Sequence, residues 1–350
     1  MVARVSLRDF RSYAALDLDL EPGLVLVTGA NGVGKTNLLE ALHVGSQGFS
    51  PRTRMDAQLI RFGADAARVT VSGREQDAPV EADVVIRARE PKHVRLNGAP
   101  LASAEELRHR LSALVFVPDR LAVVKGGPIV RRAYFDRMLG RIFPAQASLP
   151  SEYGRAVAQR NEGLRRIRGS VSSRAAAEPW TLRVAELGTG LERARAELVG
   201  LLAPRFAERA ETLGLDRAEL RYDERPVTKE ALAARFDQDV ARGGTGLGPH
   251  LRDIEVAAGD RDLRRFGSQG EQRTAVLALL LAEGGLVAER RGSPPLLLLD
   301  DVLSELDRGR RAALLSSLPR VGQSVITATT HEALPAGAPE PQLVVAVTPG

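Results

Sequence analysis

This 350-residue sequence predicts an α/β fold built around a glycine-rich strand-loop-helix unit and interrupted by a mainly helical insertion, and three observations carry the prediction. A short apolar strand, Leu24–Val27, runs into Gly29-Ala30-Asn31-Gly32-Val33-Gly34-Lys35-Thr36 and then into a helical pattern over Asn37–Val44. The leucine run Leu296–Leu299 leads directly to Asp300-Asp301. Between 117 and 244, helical periodicity rich in Ala, Arg, Leu and Glu replaces strand alternation.

The chain opens on strands. Val5 and Leu7, then Leu16, Leu18 and Leu20, alternate with polar residues, and Pro22-Gly23 turns the chain. Arg68–Ser72 and Val80–Arg87 continue the strand pattern, and Asn97-Gly98 suits a two-residue type I′ hairpin because both residues tolerate positive φ. Ser103 with Glu106 forms a capping box for a helix through Leu107, Leu111 and Leu114. The insertion reads as helices cut at Pro144, Pro150, Gly169-Ser170, Pro179, Gly188, Pro204 and Gly214, which leaves no heptad run long enough for a long coiled coil. Arg174–Glu178 and Pro335–Glu340 read as flexible stretches. After Ile254-Glu255-Val256 come a helix over Glu271–Glu289, the strand Leu296–Leu299, a helix over Arg308–Ser317 and a strand over Ser324–Ala328. This organisation assigns 1–116 and 245–350 to one discontinuous domain and 117–244 to a helical lid or arm.

The glycine-rich loop fits the Walker A pattern in full, in the strand-loop-helix context that gives the match its meaning. Small residues allow the backbone N–H groups of residues 31–36 to wrap a β-phosphate, and the helix N-terminus adds partial positive charge. Lys35 is placed to reach the β- and γ-phosphates, and the Thr36 hydroxyl to take a position on Mg²⁺. Leu296–Leu299 with Asp300 reads as Walker B, delivering a carboxylate to the magnesium shell, and Asp301 is placed to orient or deprotonate the attacking water. ATP and Mg²⁺ are therefore the expected cofactors. Upstream, Phe266-Gly267-Ser268-Gln269-Gly270-Glu271-Gln272 opens a helix whose Ser268, Gly270 and Gln272 match the ABC signature in degenerate form, and Ser304-Glu305-Leu306-Asp307 follows Walker B like a D-loop.

This order of motifs resembles ABC-type ATPases and implies an ABC-type P-loop ATPase head, with Lys35, Asp300, Asp301 and Ser268 as the catalytic group. ABC enzymes usually carry Glu where Asp301 stands. His331 lies about where they place the switch histidine, and Gln47 where a Q-loop residue reaches the metal; both also read as ordinary loop residues. In such enzymes the signature faces the nucleotide of a second subunit, so the resemblance implies a composite site and an ATP-dependent homodimer.

Charge is unevenly spread. The net charge is +5, yet Leu121–Ala175 alone holds eleven basic residues against three acidic ones, an excess of +8 that leaves the remainder at −3. That is the footprint of a polyanion contact, and it is also what a solvated surface looks like. Arg131, Arg132, Arg155, Arg160, Arg165, Arg166 and Arg168 are the DNA-contact candidates there, with Arg52 and Arg54 as further ones. Cysteine is absent and the first residues lack an apolar signal region, so a cytoplasmic protein is expected. No apolar run approaches the roughly 18 residues that a membrane span needs, so no membrane partner is expected.

Several stretches resemble the RecF family specifically. They are Leu7-Arg8-Asp9-Phe10-Arg11-Ser12-Tyr13, Ser50-Pro51-Arg52-Thr53-Arg54, Leu59-Ile60-Arg61-Phe62-Gly63, and Val117-Pro118-Asp119 through Val124-Lys125-Gly126-Gly127-Pro128 to Arg131-Arg132 and Phe135-Asp136. Gly248-Pro249-His250, Ser268 to Thr274 and Leu297 to Asp307 extend the match, with departures at Leu251-Arg252 and Glu271. The resemblance implies an ATP-dependent repair protein that binds duplex DNA beside a single-strand gap and works with RecO and RecR to load RecA. One alternative is another SMC-like DNA-associated ATPase, although SMC-type heads are split by far longer heptad arms than the proline-interrupted span between Thr36 and Ser268. A further rival, the nucleotide-binding subunit of an ABC transporter, lacks support from a standard Leu-Ser-Gly-Gly-Gln signature and gives the basic segment no role.

Overall fold

The computed structural model describes residues 1–75 and 78–348. The chain divides into two compact units: Met1–Arg120 with Arg209–Gly214 and Val276–Gly350, and Leu121–Glu208 with Leu215–Ala275. The sequence places the boundaries at 117 and 245; here the stretch 245–275, which carries Ser268, stands with the helical unit.

The first unit contains a parallel five-stranded sheet ordered Leu343–Ala346, Gly23–Thr28, Gln323–Ala328, Leu296–Leu299, Ala113–Phe116. Its three inner strands are almost wholly buried and, apart from Thr28, Gln323, Ser324 and Thr327, carry no polar side chains, as a parallel sheet covered on both faces requires. Thr28 pairs with Ala328, and Leu299 pairs with Ile326 and Phe116, so the phosphate loop and Asp300 leave the sheet at the same carboxyl edge. That edge is where open α/β sheets bind ligands. A second, antiparallel sheet runs Tyr13–Asp19, Val2–Phe10, Ala66–Glu75, Ala78–Arg87, His93–Leu96, Ala99–Pro100. Its alternating residues Val5, Leu7, Val69, Val71, Ala82 and Val84 bury one face in a core shared with Leu38 and Leu42 of the helix Lys35–Gln47. Asn97 and Gly98 take φ of 49° and 81°, the hairpin geometry the dipeptide predicts.

The second unit is built on the helices Pro128–Ile142, Leu149–Arg168 and most of Arg174–Thr212, with a small sheet of Arg261–Asp262, Glu255–Ala258 and Ala218–Arg221. The helix Arg174–Thr212 corrects the sequence reading. It runs 39 residues through Pro179, Gly188 and Pro204, and it includes the stretch Arg174–Glu178 expected to be flexible. A proline inside a helix costs about 3 kcal/mol. Leu187, Leu191, Leu198, Leu202 and Phe206 line one buried stripe, and burying each such side chain returns about 1.5–3 kcal/mol, so the stripe outweighs the breaker. Among the described residues, no helix is long and apolar enough to cross a membrane.

Candidate functional site

The phosphate loop needs glycine at two positions for steric reasons. Gly29 and Gly34 have φ of 153° and 114°, and a Cβ would lie 2.5 Å from the Val347 carbonyl oxygen at the first and 2.9 Å from Ser12 Oγ at the second. The helix Lys35–Gln47 then starts with no side-chain cap, which leaves its first N–H groups to serve an anion. Lys35 is 8% exposed and its Nζ donates to the carbonyls of Gly29 at 2.7 Å and Ala30 at 2.9 Å. Tyr13 braces the loop from the first hairpin by donating to the Gly34 carbonyl at 3.1 Å. Burial pushes its phenol up to about 12, so it remains a donor at neutral pH.

Asp300 follows its strand into this corner at 4% exposure. Thr36 Oγ1 and Thr327 Oγ1 both donate to its Oδ1 at 2.9 Å, while the backbone N–H of Asp301 donates to Thr327 Oγ1 at 2.8 Å. Burial raises the Asp300 carboxyl above its usual range, opposed by the two hydroxyl bonds. A carboxylate and a hydroxyl are hard oxygen donors of the kind magnesium takes, so the residues at this corner suit that ion. Asp301 sits at φ 48° beside a cleft of about 380 Å³ that Ser304, Arg311, Thr329, Thr330 and Glu332 also line. His331, which opens the short turn His331–Ala333, is exposed next to this cleft's residues.

A second ring of polar groups supports the loop helix. Glu40 is buried and takes two bonds from Arg11 at 2.8 Å, one from Ser50 Oγ at 2.6 Å and one from Arg52 at 3.1 Å. Asn37 links Arg52 to Ser12. The hairpin and the segment after the helix are thus tied to one carboxylate, which sequence reading passed over because Glu40 looks like any helical glutamate. Arg54, two residues on, is exposed.

Four expected site residues are placed otherwise. Gln47 is no metal ligand: it ends the loop helix, about 16 Å along the axis from Thr36 at the α-helical rise, and its buried amide donates to the carbonyls of Ser46 and Leu111. Gln272 is buried and donates to the Leu263 carbonyl at 2.8 Å, a bond internal to the helical unit. Arg131, 1% exposed, pairs with Asp253 at 2.6 Å and donates to the carbonyls of Val123 and Val124. Arg160, at 0% exposure, pairs with Asp239 at 2.8 Å and bonds Thr181 and Thr245. These two arginines are internal counter-charges, unavailable to a polyanion.

The other candidates sit closer to expectation. Ser268 is exposed at the mouth of the helix Gln269–Arg291, where its Oγ accepts from the Glu271 N–H at 3.2 Å and the Glu271 carboxylate accepts from the Ser268 N–H at 2.8 Å. That backbone bond, then Arg261, hold the Glu271 carboxyl below its usual range. Arg155, Arg165, Arg166 and Arg168 lie exposed on or at the end of Leu149–Arg168, the middle two paired with Glu162 at 2.9 and 3.1 Å. Arg132 is half-buried and donates to the Arg252 carbonyl.

The helical unit also explains the motif around Gly248-Pro249-His250. Arg195 grips Asp136 through two bonds, at 2.8 and 2.9 Å, and donates to the Pro249 carbonyl at 2.8 Å. A Cβ on Gly248 would lie 2.2 Å from Tyr153 OH, so glycine is required where Tyr153 reaches His250 Nδ1 at 2.6 Å. Burial lowers the His250 pKa, and the neutral ring accepts from Tyr153 while Nε2–H donates to the Thr245 carbonyl. Glu192, fully buried, takes Tyr222 and Arg252. The motif is a structural lock.

Comparison with known proteins agrees with this geometry. The family model described as RecF/RecN/SMC N terminal domain matches residues 1–346. The protein named DNA replication and repair protein RecF from Heliobacterium modesticaldum is 35% identical over 343 residues, covering 94% of this chain and 92% of its own. A structure described as the recombination mediator protein RecF-ATPrS in the RecFOR pathway matches with a TM-score of 0.87 at 26% identity, over 100% of this chain and 96% of that one; its RecF-ATP counterpart gives 0.86. An Smc head domain from Pyrococcus furiosus, 17% identical, shares the fold at a TM-score of 0.59, over 100% of this chain and 94% of that one. The fold is an ABC-type head without a long coiled coil, and the chain belongs to the RecF family.

Proposed function

We propose that this chain is an ATP-dependent DNA-binding repair protein. ATP binding draws two copies together, the dimer holds DNA at single-strand gaps and duplex junctions, and slow hydrolysis resets it. The observation that carries the reading is the convergence of a complete phosphate loop with Thr36, Asp300 and Thr327 at one sheet edge, in a chain 35% identical to a protein named for DNA replication and repair. In this account Lys35 exchanges the Gly29 and Ala30 carbonyls for phosphate oxygens, and Thr36 and Asp300 would hold Mg²⁺, which would supply charge to neutralise the phosphates. Asp301 orients the water; one methylene shorter than glutamate, it acts slowly. Ser268, the backbone at Gly270 and the start of their helix are offered to the γ-phosphate of the partner copy. The Ser268 Oγ accepts its capping bond, so its own proton is still free to be donated.

Arg132, Arg155, Arg165, Arg166 and Arg168, with Arg54 and part of Arg52, make up the DNA-contact set. The RecFOR pathway named for the similar structures supports RecO and RecR as partners; help in loading RecA, in the cytoplasm, belongs to the same proposal. Sedimentation of the chain with and without ATP, and with and without gapped DNA, tests the reading. A dimer that needs ATP, and tighter retention on gapped than on continuous duplex, is the expected result; a monomer under all four conditions contradicts it.

A further inference from the structure

Thr327 lies in the strand Gln323–Ala328, one strand away from the Walker B strand Leu296–Leu299, and has 0% exposure. Its hydroxyl has two partners with opposite polarity. It donates to Asp300 Oδ1 at 2.9 Å, and it accepts from the Asp301 backbone N–H at 2.8 Å. The amide fixes the oxygen, which fixes where the proton points. Thr36 Oγ1 reaches the same Asp300 Oδ1 at 2.9 Å, so both hydroxyls load one carboxylate oxygen and leave the other for a ligand. The next residue, Asp301, holds φ 48°, a backbone conformation that costs a non-glycine residue about 1–3 kcal/mol and persists only when its surroundings impose it. The Thr327 bond to the Asp301 N–H holds the peptide that enters this conformation.

We propose that Thr327 is a positioning residue for ATP hydrolysis, setting the plane of the Asp300 carboxylate and the backbone of Asp301 through a single hydroxyl. The proposal rests on the ATPase reading above. Thr327 is fully buried with its hydroxyl committed to the two aspartates, so it acts through them, as groups behind a metal ligand do. Its effect therefore falls on metal affinity and turnover and spares nucleotide capture by the loop.

Three variants of the full chain test it. Thr327→Val keeps the shape and removes the hydroxyl, while Thr327→Ser and Thr327→Ala share a smaller side chain and differ in the hydroxyl alone. Without the hydroxyl, kcat falls about 10–100-fold and KM for ATP stays within about twofold, the usual scale for losing a group behind a metal ligand. Half-saturation by Mn²⁺, read from the EPR signal of free Mn²⁺ with a non-hydrolysable ATP analogue present, moves up by a similar factor, and Thr327→Ser stays near wild type in both. A purely structural role would instead make Thr327→Ser, which leaves a cavity, as damaged as Thr327→Ala. Equal kcat and equal Mn²⁺ half-saturation in the Ser and Ala variants overturns the proposal even if Thr327→Val does not fold. Wild-type behaviour of Thr327→Val overturns it while leaving the ATPase reading intact; a wild-type chain that never turns over ATP overturns both.

Discussion

Two polar clusters, one in each unit, keep charge inside the protein in different ways. At the phosphate loop, Lys35 leans on two backbone carbonyls and Asp300 on two hydroxyls. In the helical unit, Arg131, Arg160 and Arg195 face Asp253, Asp239 and Asp136, and Glu192 faces Arg252. A charge held only by neutral dipoles can still take a charged ligand, whereas one matched to an opposite charge is already neutralised, and breaking the pair strands its partner. On the proposed function the first arrangement serves as the nucleotide site and the second as a scaffold, although both are buried and rich in charge.

Substitutions should separate the two. Replacing Lys35 with Met removes the loop's side-chain cation, so turnover falls roughly 100–1000-fold, the scale for losing a preorganised electrostatic group, and nucleotide binding weakens with it. The denaturation midpoint barely moves, because the Gly29 and Ala30 carbonyls were holding no counter-charge. Arg160→Leu has the opposite profile. It leaves Asp239 buried and unpaired, costing about 3–5 kcal/mol in a denaturant titration. Equal stability losses in the two variants would erase the distinction between site and scaffold.

Proton binding gives a smaller effect of the same origin. His250 is held neutral below its ordinary value of 6.5 by burial. The unfolded chain takes up the proton first as pH falls, so stability is full above about 6.5, declines below it, and levels off once the folded ring protonates as well. The denaturation midpoint should therefore drop further between about pH 7 and pH 5.5 in wild type than in His250→Gln. Identical profiles would mean that the Tyr153 to Thr245 bridge does not depend on the neutral ring. The smallest change concerns the surface. Reversing Arg165, Arg166 and Arg168 should weaken DNA binding across all sequences and lower the salt slope by about one unit for each phosphate no longer neutralised, with folding unchanged. An unaltered slope would return these residues to ordinary solvation.

The same contrast governs what could be read from the sequence. The phosphate loop, the Leu296–Leu299 strand and the Asn97-Gly98 turn were legible because each depends on a local pattern: glycine where φ is positive, apolar residues where both faces are covered. Arg160 was not. A buried arginine and a solvated one are spelled alike, and its partner Asp239 lies 79 residues away. Pro179 and Pro204 misled for a related reason, since a local breaker was set against a buried stripe assembled by distant packing. Gln47 looks like a loop residue in a helical pattern that fades after Val44, whereas Gly48, with φ 73°, is what stops the helix. Thr327 had no signal at all, being one polar residue among three in its strand until the fold sets it beside Asp300.

The central claim is that one nucleotide is shared between the loop of one copy and the signature of another, and a mixing experiment tests it most directly. Ser268→Arg places a bulky cation at the exposed cap of its helix, so that chain should load ATP yet fail to dimerise; Lys35→Met should fail to load ATP. Each is inactive alone. Mixed, the two can form a heterodimer with one intact site, made from the loop of the Ser268→Arg chain and the signature of the Lys35→Met chain. Sedimentation of the mixture with ATP should show part of the dimer restored, with some turnover returning alongside it. A Ser268→Arg chain that dimerises normally with ATP, or a mixture as monomeric and inert as its components, would contradict the account.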